Sequence, residues 1–143
     1  MALKQLTVFV ENKQGTVVAV TETLAANDIN IRALSIAETD GFGILRLIVD
    51  NEQAAEKVLA EEGYLIKITE VVGVKIGDAP GKLSFVLRTL DKANINVEYL
   101  YAFMTRTERH AYMVLRVENN AETEAVLENA GLHIITDADV NKL

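Results

Sequence analysis

The phrase Glu11-Asn12-Lys13-Gln14-Gly15 returns later in the chain as Gly77-Asp78-Ala79-Pro80-Gly81. Each copy follows an alternating apolar run and precedes a stretch with helical spacing. Each is answered by an Asn-Ile-Asn type of phrase, Asp28-Ile29-Asn30-Ile31 in the first half and Asn94-Ile95-Asn96-Val97 in the second. Gly15 to Gly81 and Asn30 to Asn96 share an offset of 66 residues. A repeat in one register restricts the chain to two copies of one supersecondary unit. The expected boundaries are 1–70 and 71–143. Units of about seventy residues bury only a marginal share of their surface, so the halves are expected to pack on each other.

Within each copy the patterns run in one order. Leu6 to Val10 alternates and is rich in β-formers, which predicts a strand. Val17, Val20 and Leu24, with Thr21, mark a helix; Leu83, Val86, Leu87 and Leu90 mark its counterpart. Ile31–Ala37 and Ile44–Asp50 predict two strands joined at Asp40-Gly41. Val97–Thr105 and Tyr112–Glu118 predict the second pair, with a turn through Arg106–Arg109. Gly63 matches Gly131 at an offset of 68, so the second hairpin is two residues longer. Asn51–Glu62 and Asn120–Ala130 read as helices that stop at glycine. Leu65–Ile68 and Leu132–Ile135 close each unit with a strand, and the first passes through Thr69-Glu70 almost directly into Val71–Val74. The order is strand-helix-strand-strand-helix-strand, twice. That predicts an α+β protein of two ferredoxin-like units, each an antiparallel sheet with both helices on one face.

Charge and composition narrow the function. The formal charge is −7, and neither half carries an excess of Lys and Arg. Nucleic acid and anionic membrane surfaces, which reward basic patches, are therefore not expected partners. The absence of cysteine removes thiol chemistry and thiolate metal sites. No run reaches the ~20 apolar residues of a membrane helix, and the N-terminus has no signal-peptide pattern. A cytoplasmic protein is expected.

A strand entering a Gly-containing turn that opens a helix exposes backbone N–H groups at the positive end of the helix dipole. Asn12 can donate and accept, whereas ionised Asp78 only accepts. Such a corner offers donors for a carboxylate and acceptors for an ammonium. The same residues also serve plain Asx turns and glycine dihedrals. His110 and His133 are the only histidines, and no metal or cofactor is expected from them. Tyr99, Tyr101 and Phe103 alternate on one strand face; packing is the favoured reading over base stacking in an acidic chain. There is no nucleophile with a partnered base and no phosphate loop, so an enzyme is not expected.

Asn12-Lys13-Gln14-Gly15, a helix, Asp28-Ile29-Asn30-Ile31 and then Arg32-Ala33-Leu34-Ser35-Ile36 together resemble an ACT domain, and the second half resembles one again. The family's usual turn is Asn-x-Pro-Gly. The second copy keeps Pro80-Gly81 but has Asp78 for Asn, and the first keeps Asn12 and Gly15 but has Gln14 for Pro. Gly normally precedes the Ile-Asn; Asp28 and Asn94 stand there, both tolerant of a left-handed backbone. The resemblance implies a regulatory protein that binds a free amino acid where two ACT units meet, side by side. By position it nominates Asn12, Lys13, Gln14, Gly15, Thr16, Asn30 and Ile31, and in the second copy Asp78, Ala79, Pro80, Gly81, Lys82, Asn96 and Val97. The two pockets are expected to be unequal. A target enzyme or a second copy of the chain is the implied partner. The alternatives are a regulatory small subunit of an amino-acid biosynthetic enzyme, as Glu11-Asn12-Lys13 followed by Ile31–Ala37 is similar to the ACT portion of acetohydroxyacid synthase small subunits, and an acylphosphatase-like hydrolase. Against the hydrolase, neither turn holds an Arg.

Overall fold

In the computed structural model, residues 2–105 and 109–143 are described; Arg106 and the rest of the expected turn up to Glu108 lie outside them. The elements are β1 (Leu3–Glu11), α1 (Thr16–Ala26), β2 (Ile31–Thr39), β3 (Phe42–Val49), α2 (Glu52–Glu61) and β4 (Leu65–Gly77). They continue with α3 (Lys82–Lys92), β5 (Tyr99–Ala102), β6 (His110–Arg116), α4 (Asn120–Asn129), β7 (His133–Ile135) and α5 (Asp137–Val140). Two compact units emerge, Lys4–Thr69 and Glu70–Leu143, the latter taking in Leu3, and their division falls inside β4. Each is ferredoxin-like. The strand order is β2-β3-β1-β4 in the first, using the opening of β4, and β5-β6-β4-β7 in the second, using its end.

The cores repeat as the sequence does. Leu6, Val8, Val10, Val20 and Leu24 are buried in the first, and 66 residues on Val72, Val74, Ile76, Val86 and Leu90 are buried in the second. Past the hairpin the offset becomes 68: Leu45, Leu47, Val49 and Leu59 correspond to Met113, Leu115, Val117 and Leu127. The longer second hairpin therefore leaves the core register on either side intact. Each fully buried side chain of this size contributes roughly 1.5–3 kcal/mol.

Helix ends follow one pattern four times. After α1, the Ile29 N–H donates to the Leu24 carbonyl and the Asp28 N–H to that of Ala25. The same pair of bonds closes α2 through Tyr64 and Gly63, α3 through Ile95 and Asn94, and α4 through Leu132 and Gly131. This is the Schellman arrangement, which needs a left-handed residue just past the helix. Glycine supplies it after α2 and α4. Asp28 (φ 57°) and Asn94 (φ 59°) supply it after α1 and α3, as their tolerance of that region allows.

Some expectations are revised. Leu83 is exposed, because the buried stripe of α3 is carried by Val86 and Leu90. β5 is shorter than Val97–Thr105, although Glu98 and Phe103 still donate across to Arg116 and Tyr112. The helix α5 was not foreseen. It starts with a capping box in which Thr136 and Asp139 each bond the other's backbone N–H. Tyr101 and Phe103 are buried, so they are withdrawn from any base-stacking surface. Among the described residues no helix is long and apolar enough to cross a membrane, and no three His, Asp or Glu side chains gather as a metal requires.

Candidate functional site

The two strand-to-helix corners have one geometry. The Thr16 N–H reaches back to the Lys13 carbonyl at 3.4 Å, and the Lys82 N–H to that of Ala79 at 3.2 Å. Gly15 sits at φ 89°, ψ −14° and Gly81 at φ 88°, ψ −10°. These are the third-residue angles of a type II turn, which favours proline second and glycine third. Pro80-Gly81 matches both preferences and Gln14-Gly15 keeps the glycine. A Cβ on either glycine would meet nothing within 4 Å, so the requirement is purely conformational.

Each glycine is also the cap residue of its helix, and it has no side chain with which to cap. Neither α1 nor α3 receives a side-chain cap bond, whereas Asn51, Asn119 and Thr136 cap α2, α4 and α5. At both starts the Thr16 and Lys82 N–H groups are held within the turn, and no side chain caps the rest of the first turn.

Around the first corner lies a cleft of about 560 Å³, inside the ~300–1,000 Å³ range usual for small-molecule sites. Glu11, Lys13, Gln14, Gly15 and Thr16 form one side, and Phe9, Val10, Ala19, Glu62, Gly63 and Tyr64 the rest. The α2 stop delivers Tyr64 here, since the turn at Gly63 carries the chain back along the sheet end. Lys13 Nζ lies 3.0 Å from Glu11 Oε2, with both side chains largely exposed. Asn12 is exposed beside the cleft and is not among its walls.

The other nominated residues fall elsewhere within each unit. Asn30 is at the opposite end of α1, where its N–H donates to Asp50 Oδ1 at 3.0 Å and its carbonyl accepts from the Asp50 N–H at 3.1 Å. Ile31 is half-buried at the start of β2, paired with Val49. Asn30 and Asp50 border a separate hollow of about 420 Å³. Its counterpart in the second unit, about 710 Å³, is lined by Asn94, Asn96, Glu98, Glu118 and Asn119 among others. Val97 packs on the second core. A single unit therefore does not bring its turn and its Asn-Ile-Asn phrase together.

At the second corner, Asp78 and Pro80 are exposed, and the Asp78 N–H donates to the Arg109 carbonyl at 2.7 Å. The Lys82 side chain crosses Gly77 so closely that three of its carbons would lie 3.1–3.2 Å from a Cβ there. Tyr64, Phe9, Ala19 and Glu62 were not anticipated as site residues. The signals for them are the Gly63 stop and the outward alternation of β1, which place Tyr64 and Phe9 near one sheet end.

The family described as ACT domain pair matches residues 1–143. The chain belongs to that family. The ACT domain pair is a regulatory fold. Protein BT0572 of Bacteroides thetaiotaomicron is 38% identical, with a TM-score of 0.92 over 100% of this chain and 98% of that one. The ligand-free regulatory subunit of aspartate kinase from Thermus thermophilus is 16% identical, with a TM-score of 0.66 over 89% of this chain and 91% of that one. Aspartokinase alpha and beta subunits give 17%, 0.62, 89% and 92%. These last two show likeness of fold. No curated protein matches the chain.

Proposed function

We propose that this ACT pair is a cytoplasmic regulatory protein that binds a free amino acid at its strand-to-helix corner and passes the binding state to a target enzyme or a second copy of the chain. The observation that carries the reading is the first corner itself. The Lys13 ammonium, the Thr16 hydroxyl, the Glu11 and Glu62 carboxylates and an apolar wall share one cleft, at a helix start that has no side-chain cap. A free amino acid needs donors for its carboxylate, acceptors for its ammonium and a surface for its side chain, and all three are present. The walls of this cleft come from Lys4–Thr69 alone. Regulation requires the ligand to favour one conformation, and the response is bounded by that difference in affinity.

A thermal-shift panel of the twenty amino acids tests the proposal. A ligand at a hundred times its dissociation constant adds ~2.7 kcal/mol to stability, a plain rise in melting temperature. A panel without any shift contradicts it. A second reading, a standing regulatory subunit of a biosynthetic enzyme, draws on the likeness to the Thermus subunit, which the chain spans over 91% of its length. Co-purification with a large catalytic chain supports that reading, and a chain that purifies alone counts against it.

A further inference from the structure

We infer that the two repeats are unequal in a defined way: the first corner is the ligand site and selects a neutral amino acid with an apolar side chain, while the second corner is occluded by its own residues. The inference rests on the amino-acid reading above and assigns it a corner and a ligand class.

The duplication supplies an internal control, because helix register is the same at both corners. The Ala19 N–H donates to the Gly15 carbonyl at 3.1 Å, and the Phe85 N–H to the Gly81 carbonyl at 2.9 Å. Ala19, which forms a wall of the first cleft, is therefore matched in the second copy by Phe85. A methyl group is replaced by a benzyl group at the same Cβ position, and the ring is half exposed, standing out from the helix. Thr16 is matched by Lys82, whose stem lies over Gly77. Phe9 is matched by Lys75 and Tyr64 by Leu132. The second corner thus carries two bulkier chains at the matching helix positions and lacks both aromatic walls.

Charge then selects among ligands for the first. Glu11 and Glu62 outnumber Lys13 in the cleft, which disfavours phosphate and dicarboxylates and accepts a zwitterion. The exposed Lys13–Glu11 pair is of the kind worth ~0–1 kcal/mol, so Lys13 can turn to a ligand carboxylate at little cost. Phe9, Val10, Ala19 and Tyr64 leave an apolar body as the complementary remainder.

Calorimetric titration of the full chain with valine, leucine and phenylalanine, against lysine, aspartate and inorganic phosphate, tests the inference. One ligand per chain is expected, with the apolar set bound ~10-fold or more tighter than the charged set. Ala19→Phe should weaken binding by ~10-fold or more with an unchanged circular dichroism spectrum, and Phe85→Ala should leave the affinity of the first corner as it was. Lys13→Ala, on the surface, should weaken binding without touching the fold. Two ligands per chain, a preference for lysine or aspartate, or full binding by Ala19→Phe each overturn the inference while leaving the amino-acid reading in place. Silence toward every amino acid overturns both.

Discussion

Gly73 shows how little room a single position can have. A Cβ there would come within 2.6 Å of Leu3 Cδ1 and 3.1 Å of Ile135 Cβ, and Leu3 is buried. Gly73→Ala should therefore destabilise by about 1–3 kcal/mol, as overpacking of a filled core does. Urea unfolding of Gly73→Ala, Leu3→Ala and the double variant measures the coupling. The double variant is expected to lose less than the two singles together; strict additivity would contradict the contact. Gly15 and Gly81 differ from Gly73, since open space surrounds both and only the left-handed backbone demands glycine. Replacing either with alanine should cost about 1–2 kcal/mol, equally at the two corners. The sequence displayed the corner glycines through their repetition. It held no sign of Gly73's crowding, which comes from Leu3, seventy residues earlier, and from Ile135.

Helices in this chain start in two ways, with a side-chain cap or without one. Asn51 and Asn119 each accept an N–H bond from three residues on, Ala54 at 3.1 Å and Glu122 at 3.0 Å. Their replacement by alanine should cost about 1 kcal/mol each in denaturant unfolding. Asn12→Ala, which removes no cap, should stay within ~0.5 kcal/mol of the parent. Equal losses at all three positions would contradict the distinction. The short α5 depends on a charge. The Asp139 carboxyl is held below its ordinary value of 3.8, first by the Thr136 backbone N–H, with the Thr136 hydroxyl and His133 adding to the effect against partial desolvation. A depressed carboxylate stabilises the folded form above the unfolded value and loses that contribution as pH falls through the folded one. Hydrogen exchange at the Val140 amide should quicken as pH drops below about 3.8, relative to the intrinsic rate. Asp139→Asn should flatten that dependence; an unaltered profile in this variant would contradict it. Periodicity made the paired helices and most strands legible, because a buried stripe must recur. The helix α5 has too few residues for a period, and its Thr136-to-Asp139 capping signature was the one sequence mark available.

Two units built to one plan, over a chain matched from end to end by the ACT domain pair family, invite the expectation of two matching sites. The substitutions between copies argue otherwise. They leave most core positions apolar, Ala55 matched by the buried Thr123 being an exception, and change the corner, where Ala19 becomes Phe85 and Lys13 becomes Ala79. Core positions are held by packing density, whereas a corner in water is free to diverge once one copy suffices for binding. The turn motif was readable in both halves. The cleft was not, because its walls come from β1, the start of α1 and the end of α2, which are distant in sequence and meet at one sheet end. Assignment of the amide resonances and titration of the labelled full chain with leucine is the most direct measurement. The account predicts progressive shifts centred on Gly15, Thr16, Ala19 and Tyr64, with Gly81, Lys82 and Phe85 little changed. Shifts centred on the second corner, or a spectrum unmoved by leucine and every other free amino acid, would contradict it.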